Sequence, residues 1–168
     1  MKKLTAIVLA ILMLGLCACS GQAKKAPLTD SLEQIIDNIY AQQPVEFFVG
    51  TMPVDITDTE WSLKSFTGLD NADMITEATA SEAMIGSIPY SLVLVRVKDA
   101  ANAKTVAQQM KDGIDQRKWI CVEADDLLVS GYCDVVMLVM VSSTSDLTAQ
   151  AMTDAFAKVC GGELDFTI

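Results

Sequence analysis

The sequence predicts an α+β domain: a four-stranded antiparallel sheet made from two β-hairpins, with helices packed on one face. Three observations carry that expectation. Residues 90–97 and 133–141 are runs rich in Val, Leu and Met whose middles are apolar without alternation, as in strands buried on both sides. Each run follows a shorter strand-like stretch and a turn, which makes a hairpin. Between and around them, other stretches carry apolar residues at the three-to-four-residue spacing of amphipathic helices. The expected order is ααββαββα, with 90–97 and 133–141 as the central strands.

The first helix is read over 30–42, where Leu32, Ile35, Ile36 and Ile39 form one stripe, Thr29 or Asp30 caps the start and Pro44 stops the end. A shorter helix runs from Thr57-Asp58-Thr59-Glu60 through Trp61, Leu63 and Phe66 to Gly68, with Asp58 and Glu60 suiting its positive N-terminus. From Asp73 to Ala83 the pattern becomes a half-polar strand, and Gly86 and Pro89 mark the turn into 90–97. Residues 99–119 return to helical periodicity with Ala103, Val106, Ala107, Met110 and Ile114 inward, weakened late by Gly113. The second hairpin joins 126–130 to 133–141 through a Gly131-Tyr132 turn. Ser145-Asp146 then caps a last helix holding Leu147, Met152, Phe156 and Val159, closed by Gly161-Gly162. The β-β-α unit thus occurs twice, without matching residues between its copies.

Ahead of this domain, Met1-Lys2-Lys3 leads into an uncharged apolar run from Leu4 to Ala18, the pattern of an export signal. The run is shorter than the roughly 20 residues a spanning helix needs. Leu16-Cys17-Ala18-Cys19 resembles the lipobox of bacterial lipoproteins. The resemblance implies a diacylglyceryl thioether on Cys19 and cleavage after Ala18, because at Cys17 the bulky Leu16 would occupy the small-residue position. Two acyl chains suffice for stable anchoring. The expected organisation is a signal peptide over 1–18, a tether over 19–27, one α+β domain over 28–162 and a tail over 163–168. The expected location is the extracytoplasmic side of the cell membrane, with Lys24 and Lys25 of the tether able to touch anionic headgroups.

The lipobox leader, the N-terminal helix, "TDTEWSLKSFTGLD", "SLVLVRVKDAANAKTVAQQMKDGIDQRKW" and "VMLVMVS" together resemble bacterial lipoproteins carrying the domain of unknown function numbered 4358, over about residues 30–160. The resemblance implies architecture and location. It implies no activity and no residue roles.

Removing the leader leaves 150 of the 168 residues, enough for one domain with a core. The chain carries a net charge of -10, and because the leader holds Lys2 and Lys3 but no acid, the mature part stands at -12. So acidic a chain is repelled by nucleic acid, which is not an expected partner. Three cysteines follow Cys19. Export permits a disulfide, and Cys121 with Cys133 is the pair to test, while all three also suit small apolar core positions.

There is no histidine, which removes Ser-His-Asp and Cys-His activation, imidazole bases and His-containing metal sites together. No CxxC pair and no phosphate-binding glycine loop is present. Asp55 with Asp58 and Glu60, Asp70 with Asp73, and Asp125 with Asp126 are acidic clusters, but none has the glycine and distal glutamate of a calcium loop. They suit solvated faces and helix caps. Lys111, Arg117 and Lys118 beside Trp119 are interleaved with Asp112 and Asp115, as on a salt-bridged helix face. No metal site and no cofactor is expected.

Phe47, Phe48, Trp61 and Tyr90 are candidates for lining a binding groove, although core packing is the better account of aromatic residues in such a pattern. The functional expectation is a lipid-anchored binding or interaction module for a protein or a small-molecule ligand. No residue set points to catalysis. The alternatives are a carboxylate-dependent hydrolase, which needs two acids converging in a cleft, and a structural subunit of a membrane-associated complex.

Overall fold

The computed structural model describes residues 25–168. The expected signal peptide over 1–18, the lipobox-like segment with Cys19 and the expected tether up to residue 24 lie outside the described residues.

The first helix, α1 (Leu32–Gln42), starts at Ser31, whose hydroxyl accepts from the Gln34 amide while the Gln34 side chain accepts from the Ser31 amide. This reciprocal capping box puts the cap at Ser31, one or two residues past the expected Asp30 or Thr29. Strand β1 (Val49–Pro53) follows. A π-helical turn (Thr59–Leu63) capped by Asp58 continues into the single turn α2 (Lys64–Thr67) and ends at Gly68, as expected. Strands β2 (Ile75–Ala83) and β3 (Tyr90–Val97) form the first hairpin. Helix α3 (Ala103–Gly113) is shorter than the periodicity implied, because Ile114 turns extended. Strands β4 (Asp126–Tyr132) and β5 (Val135–Val141) form the second hairpin, whose turn is Cys133-Asp134 and not Gly131-Tyr132. Helix α4 (Ala149–Val159), capped by Thr148, and the short β6 (Phe166–Thr167) complete the chain.

The class is α+β with an antiparallel sheet, but the sheet has six strands in the order β1-β2-β3-β5-β4-β6. The expected four lie inside it, and β3 and β5 are the central pair, as their composition demanded. The two additions are edges. Strand β1 contains Gly50 and ends in Pro53, residues that weaken a strand signal and are tolerated at an edge. Strand β6 comes from the expected tail and pairs with Ser130 and Gly131, Phe166 covering the space that a side chain at Gly131 would fill.

The helices cover both faces of the sheet, which corrects the expected single covered face. Because β3 and β5 are apolar on both sides, each face needs a lid. On one, α3 contributes Val106, Ala107 and Met110 against Val93, Val95, Val136 and Leu138, with Leu63 and Leu69 from the α2 region. On the other, α1 contributes Leu32, Ile35, Ile36 and Ile39, and α4 contributes Met152, Ala155 and Phe156, against Leu92, Leu94, Met137 and Val139. Gly113, which looked like a weakness in α3, meets Gly68 backbone to backbone: a Cβ on Gly113 would stand 2.0 Å from the Gly68 carbonyl oxygen. Gly68 itself has φ +77, the left-handed region that favours glycine.

The strand register gives the molecule two ends. At the proximal end, where the described chain begins, lie the start of β2, the end of β3, the β4–β5 turn and the end of α4. At the distal end lie the start of β1, the β2–β3 loop, the start of β4 and the loop after β5. No helix among the described residues is long and apolar enough to cross a membrane.

Candidate functional site

The proximal end is polar and tied together. Arg96 donates to Glu77 at 2.7 Å and Asp134 at 3.1 Å, and to the carbonyl oxygens of Leu28 at 3.0 Å and Asp30 at 2.8 Å. It clamps the segment leading into α1 against the sheet. Lys25, read from the sequence as a tether residue able to touch headgroups, donates to Asp165 at 2.7 Å and to the Glu163 carbonyl at 2.6 Å, with its ammonium 5.4 Å from the Tyr132 ring centre. Asp165 also accepts the Cys133 amide at 2.6 Å. Burial opposes ionisation of Asp165, yet Lys25 and this amide hold its carboxyl below the usual range.

The distal end is different. Three adjoining depressions lie there. The largest, about 490 Å³, is lined by Phe47, Ile88, Pro89 and Val122 with Glu123 and the hydroxyls of Ser87, Ser142, Thr144 and Ser145. Ser87 is shared with a second depression bounded by Gly86, Lys118, Trp119 and Ile120. Phe47 and Ser145 are shared with a third, formed by residues 43–47 and 145–147, which brings Glu46 and Asp146 to its rim. Ile120 is 87 % exposed, and beside this band the β2–β3 loop leaves Met84 and Ile85 exposed, Met84 pairing through its backbone with exposed Phe48.

The cations of this end are occupied. Arg117 pairs with Glu123 at 2.6 Å. Lys118 pairs with Glu82 at 2.6 Å, and both side chains are largely shielded, at 14 % and 16 % exposure. Its ammonium also lies 5.3 Å from the Phe66 ring centre and 5.2 Å from that of Trp119, and the Ser91 hydroxyl donates to the same carboxylate. Glu46 and Asp146 remain exposed, so the band is apolar with an acidic rim.

The four candidate groove aromatics do not form one site. Phe47 lines the distal band and packs edge-on against Tyr90, ring centres 5.0 Å apart. Tyr90 is buried and lines none of the depressions: its hydroxyl donates to Tyr40 at 3.1 Å, Tyr40 donates to Ser81 at 2.7 Å, and burial pushes both phenols up. Phe48 is exposed beside the band. Trp61 is exposed on the π-helical turn, among the elements of the opposite face, and borders none of the three depressions. The split follows from their elements: Phe47 and Phe48 lie in the loop before β1, Trp61 on the π-helical turn and Tyr90 at the start of β3.

The acidic clusters are local structure. Asp55 accepts the amide and hydroxyl of Thr57, which lower its pKa, and Asp58 accepts the Trp61 amide as a cap. Asp70 is bound by Lys64. Asp125 accepts the amide and hydroxyl of Ser143, which hold it low, and Asp126 accepts the Ala149 amide at the start of α4. No group of three metal-binding side chains occurs among the described residues. The proposed Cys121–Cys133 pair is not formed: both thiols are free, Cys121 before β4 near the distal band and Cys133 beyond its far end.

What sequence reasoning missed was the role of loops 43–47, 84–89, 119–123 and 142–147. They share no motif, and only strand register brings them together. Compared with protein-family models, curated proteins and solved structures, the chain matches none.

Proposed function

We propose that this chain is a lipid-anchored extracytoplasmic interaction module whose distal band docks a protein segment carrying apolar and basic side chains. The observation that carries the reading is the run of three shared depressions at one end, apolar at Phe47, Ile88, Val122, Trp119 and Ile120 and acidic at Glu46 and Asp146. An open, contiguous strip of this kind suits an extended partner better than an enclosed small molecule, which is normally buried over most of its surface. The acidic rim, with its own cations already paired, supplies the charge preference.

The anchor supports the same orientation. Six residue steps separate Cys19 from Lys25, a reach of at most about 21 Å even when fully extended. A lipid on Cys19 therefore keeps the proximal end close to the bilayer and leaves the distal band outward. The hydrolase alternative gains nothing from the acids the sequence singled out: Asp55, Asp58, Asp70, Asp125 and Asp126 are occupied as caps, loop staples and an ion pair, and Glu60 and Asp73 are exposed.

Two measurements test the reading. Replacing Cys19 with Ser is expected to abolish incorporation of labelled palmitate; continued labelling would defeat the anchor. A photo-crosslinking residue at position 120 of the membrane-bound full chain is expected to give a discrete protein adduct that weakens with salt, while the same residue at position 158 gives none. Equal adducts from both positions, or none from position 120, would overturn the docking site.

A further inference from the structure

The proximal end holds two cysteines that sequence spacing does not connect. Cys160 closes α4 and is buried in the core on that face of the sheet, and Cys133, from the apex of the β4–β5 hairpin, packs against the same core. They share surroundings: Lys25 and Asp165 act on both thiols, and both thiols act on the Tyr132 phenol. Cys133 also occupies an unusual backbone position. It is the first residue of a two-residue turn, with φ +52, where hairpins of this length ordinarily place glycine or asparagine. The turn is held by the bond from the Cys133 amide to Asp165.

We propose that Cys133 and Cys160 are an oxidisable pair that closes to an intramolecular disulfide when a disulfide-bearing donor reaches the proximal end. Cys133, the more exposed of the two, loses its proton and attacks one sulfur of the donor, displacing one donor thiolate and forming a mixed disulfide. Cys160 then loses its proton and attacks the Cys133 sulfur, displacing the second donor thiolate. Two protein thiols are oxidised, the donor's sulfur–sulfur bond is reduced, and two protons leave. Burial, and then the neighbouring thiolate, push Cys160 up to about 12, while burial also raises Cys133. Closure should therefore be slow at neutral pH and accelerate as pH rises. The product is neutral and suits the apolar surroundings of Cys160. This inference is independent of the docking band, which lies at the other end.

The test uses the reduced full chain, equilibrated folded with glutathione disulfide, then unfolded, alkylated and mapped without reduction. The expected result is a linked pair of peptides carrying Cys133 and Cys160, with Cys121 outside the linkage. Cys160→Ser is expected to stop at a glutathione adduct on Cys133, and Cys133→Ser to slow modification of Cys160 about tenfold or more. A linkage through Cys121, or Cys133 and Cys160 both still alkylated after equilibration, would overturn the proposal. The mapping of the unsubstituted chain decides the matter even if either variant fails to fold.

Discussion

The two ends of the sheet are built from opposite materials. The proximal end is closed by polar ties: Arg96 reaches four acceptors, Lys25 and Asp165 pair, and Asp165 holds the hairpin apex through Cys133. At the distal end Ile120, Phe48, Met84 and Ile85 face solvent, and the ion pair Lys118–Glu82 is turned inward under Phe66 and Trp119. The contrast teaches that exposed apolar surface is concentrated where the chain is not being held. Under the proposed function, the cross-linked end is the one that would carry the tether and the uncovered end the one that would meet a partner.

The largest expected effect comes from breaking the proximal clamp. Arg96→Met strands Glu77, Asp134 and two carbonyls, and should cost about 3 kcal/mol in denaturant unfolding, with faster hydrogen exchange in the segment before α1. Next is the inward pair of the distal end. Lys118→Met leaves the Glu82 carboxylate shielded without its partner, at about 2 kcal/mol, and combining it with Glu82→Gln should recover much of that loss in a double-mutant cycle. If the second change recovers nothing, the pair contributes through packing on Phe66 and Trp119 and not through charge.

A pH series sharpens the comparison. Asp165 is depressed in the fold, so its stabilisation is present above the ordinary carboxylate value near 3.8 and is lost as pH falls through the lower folded value. Cys160 is raised from 9.0 to about 12, so its contribution is full below 9 and declines as pH climbs toward 12. Thermal midpoints should fall on both flanks, and Asp165→Asn should flatten the acid flank while leaving the alkaline one. The smallest stability change belongs to Ile120→Ser, within about 0.5 kcal/mol, because the residue is almost fully exposed. With the photo-crosslinking residue placed at position 88 instead of 120, that same substitution is expected to weaken the salt-sensitive adduct.

Much of this architecture was legible. The helical stripes of Leu32, Ile35, Ile36 and Ile39, and of Val106, Ala107 and Met110, are the residues buried in the two cores. The exclusively apolar middles of 90–97 and 133–141 identified the central strands, whose flanks are both covered. The edges were harder to read, because β1 carries Gly50 and Pro53, and β6 is only two residues long. The distal band was barely legible: Phe47 was singled out, but its partners Ile88, Val122 and Ser145 belong to loops with no pattern of their own.

By itself the sequence determined the class, the central strands and the absence of imidazole chemistry, because periodicity and composition are local properties that survive without knowing what packs on what. It also supplied the expectation of a lipid on Cys19, through a motif read within four residues. Only the tertiary structure decided that both faces are covered, that Cys133 and Cys160 share one end while Cys121 lies at the other, and that four unrelated loops share one end. Those are consequences of strand order and register, which bring residues far apart in the chain to one place, and no local pattern records that distance.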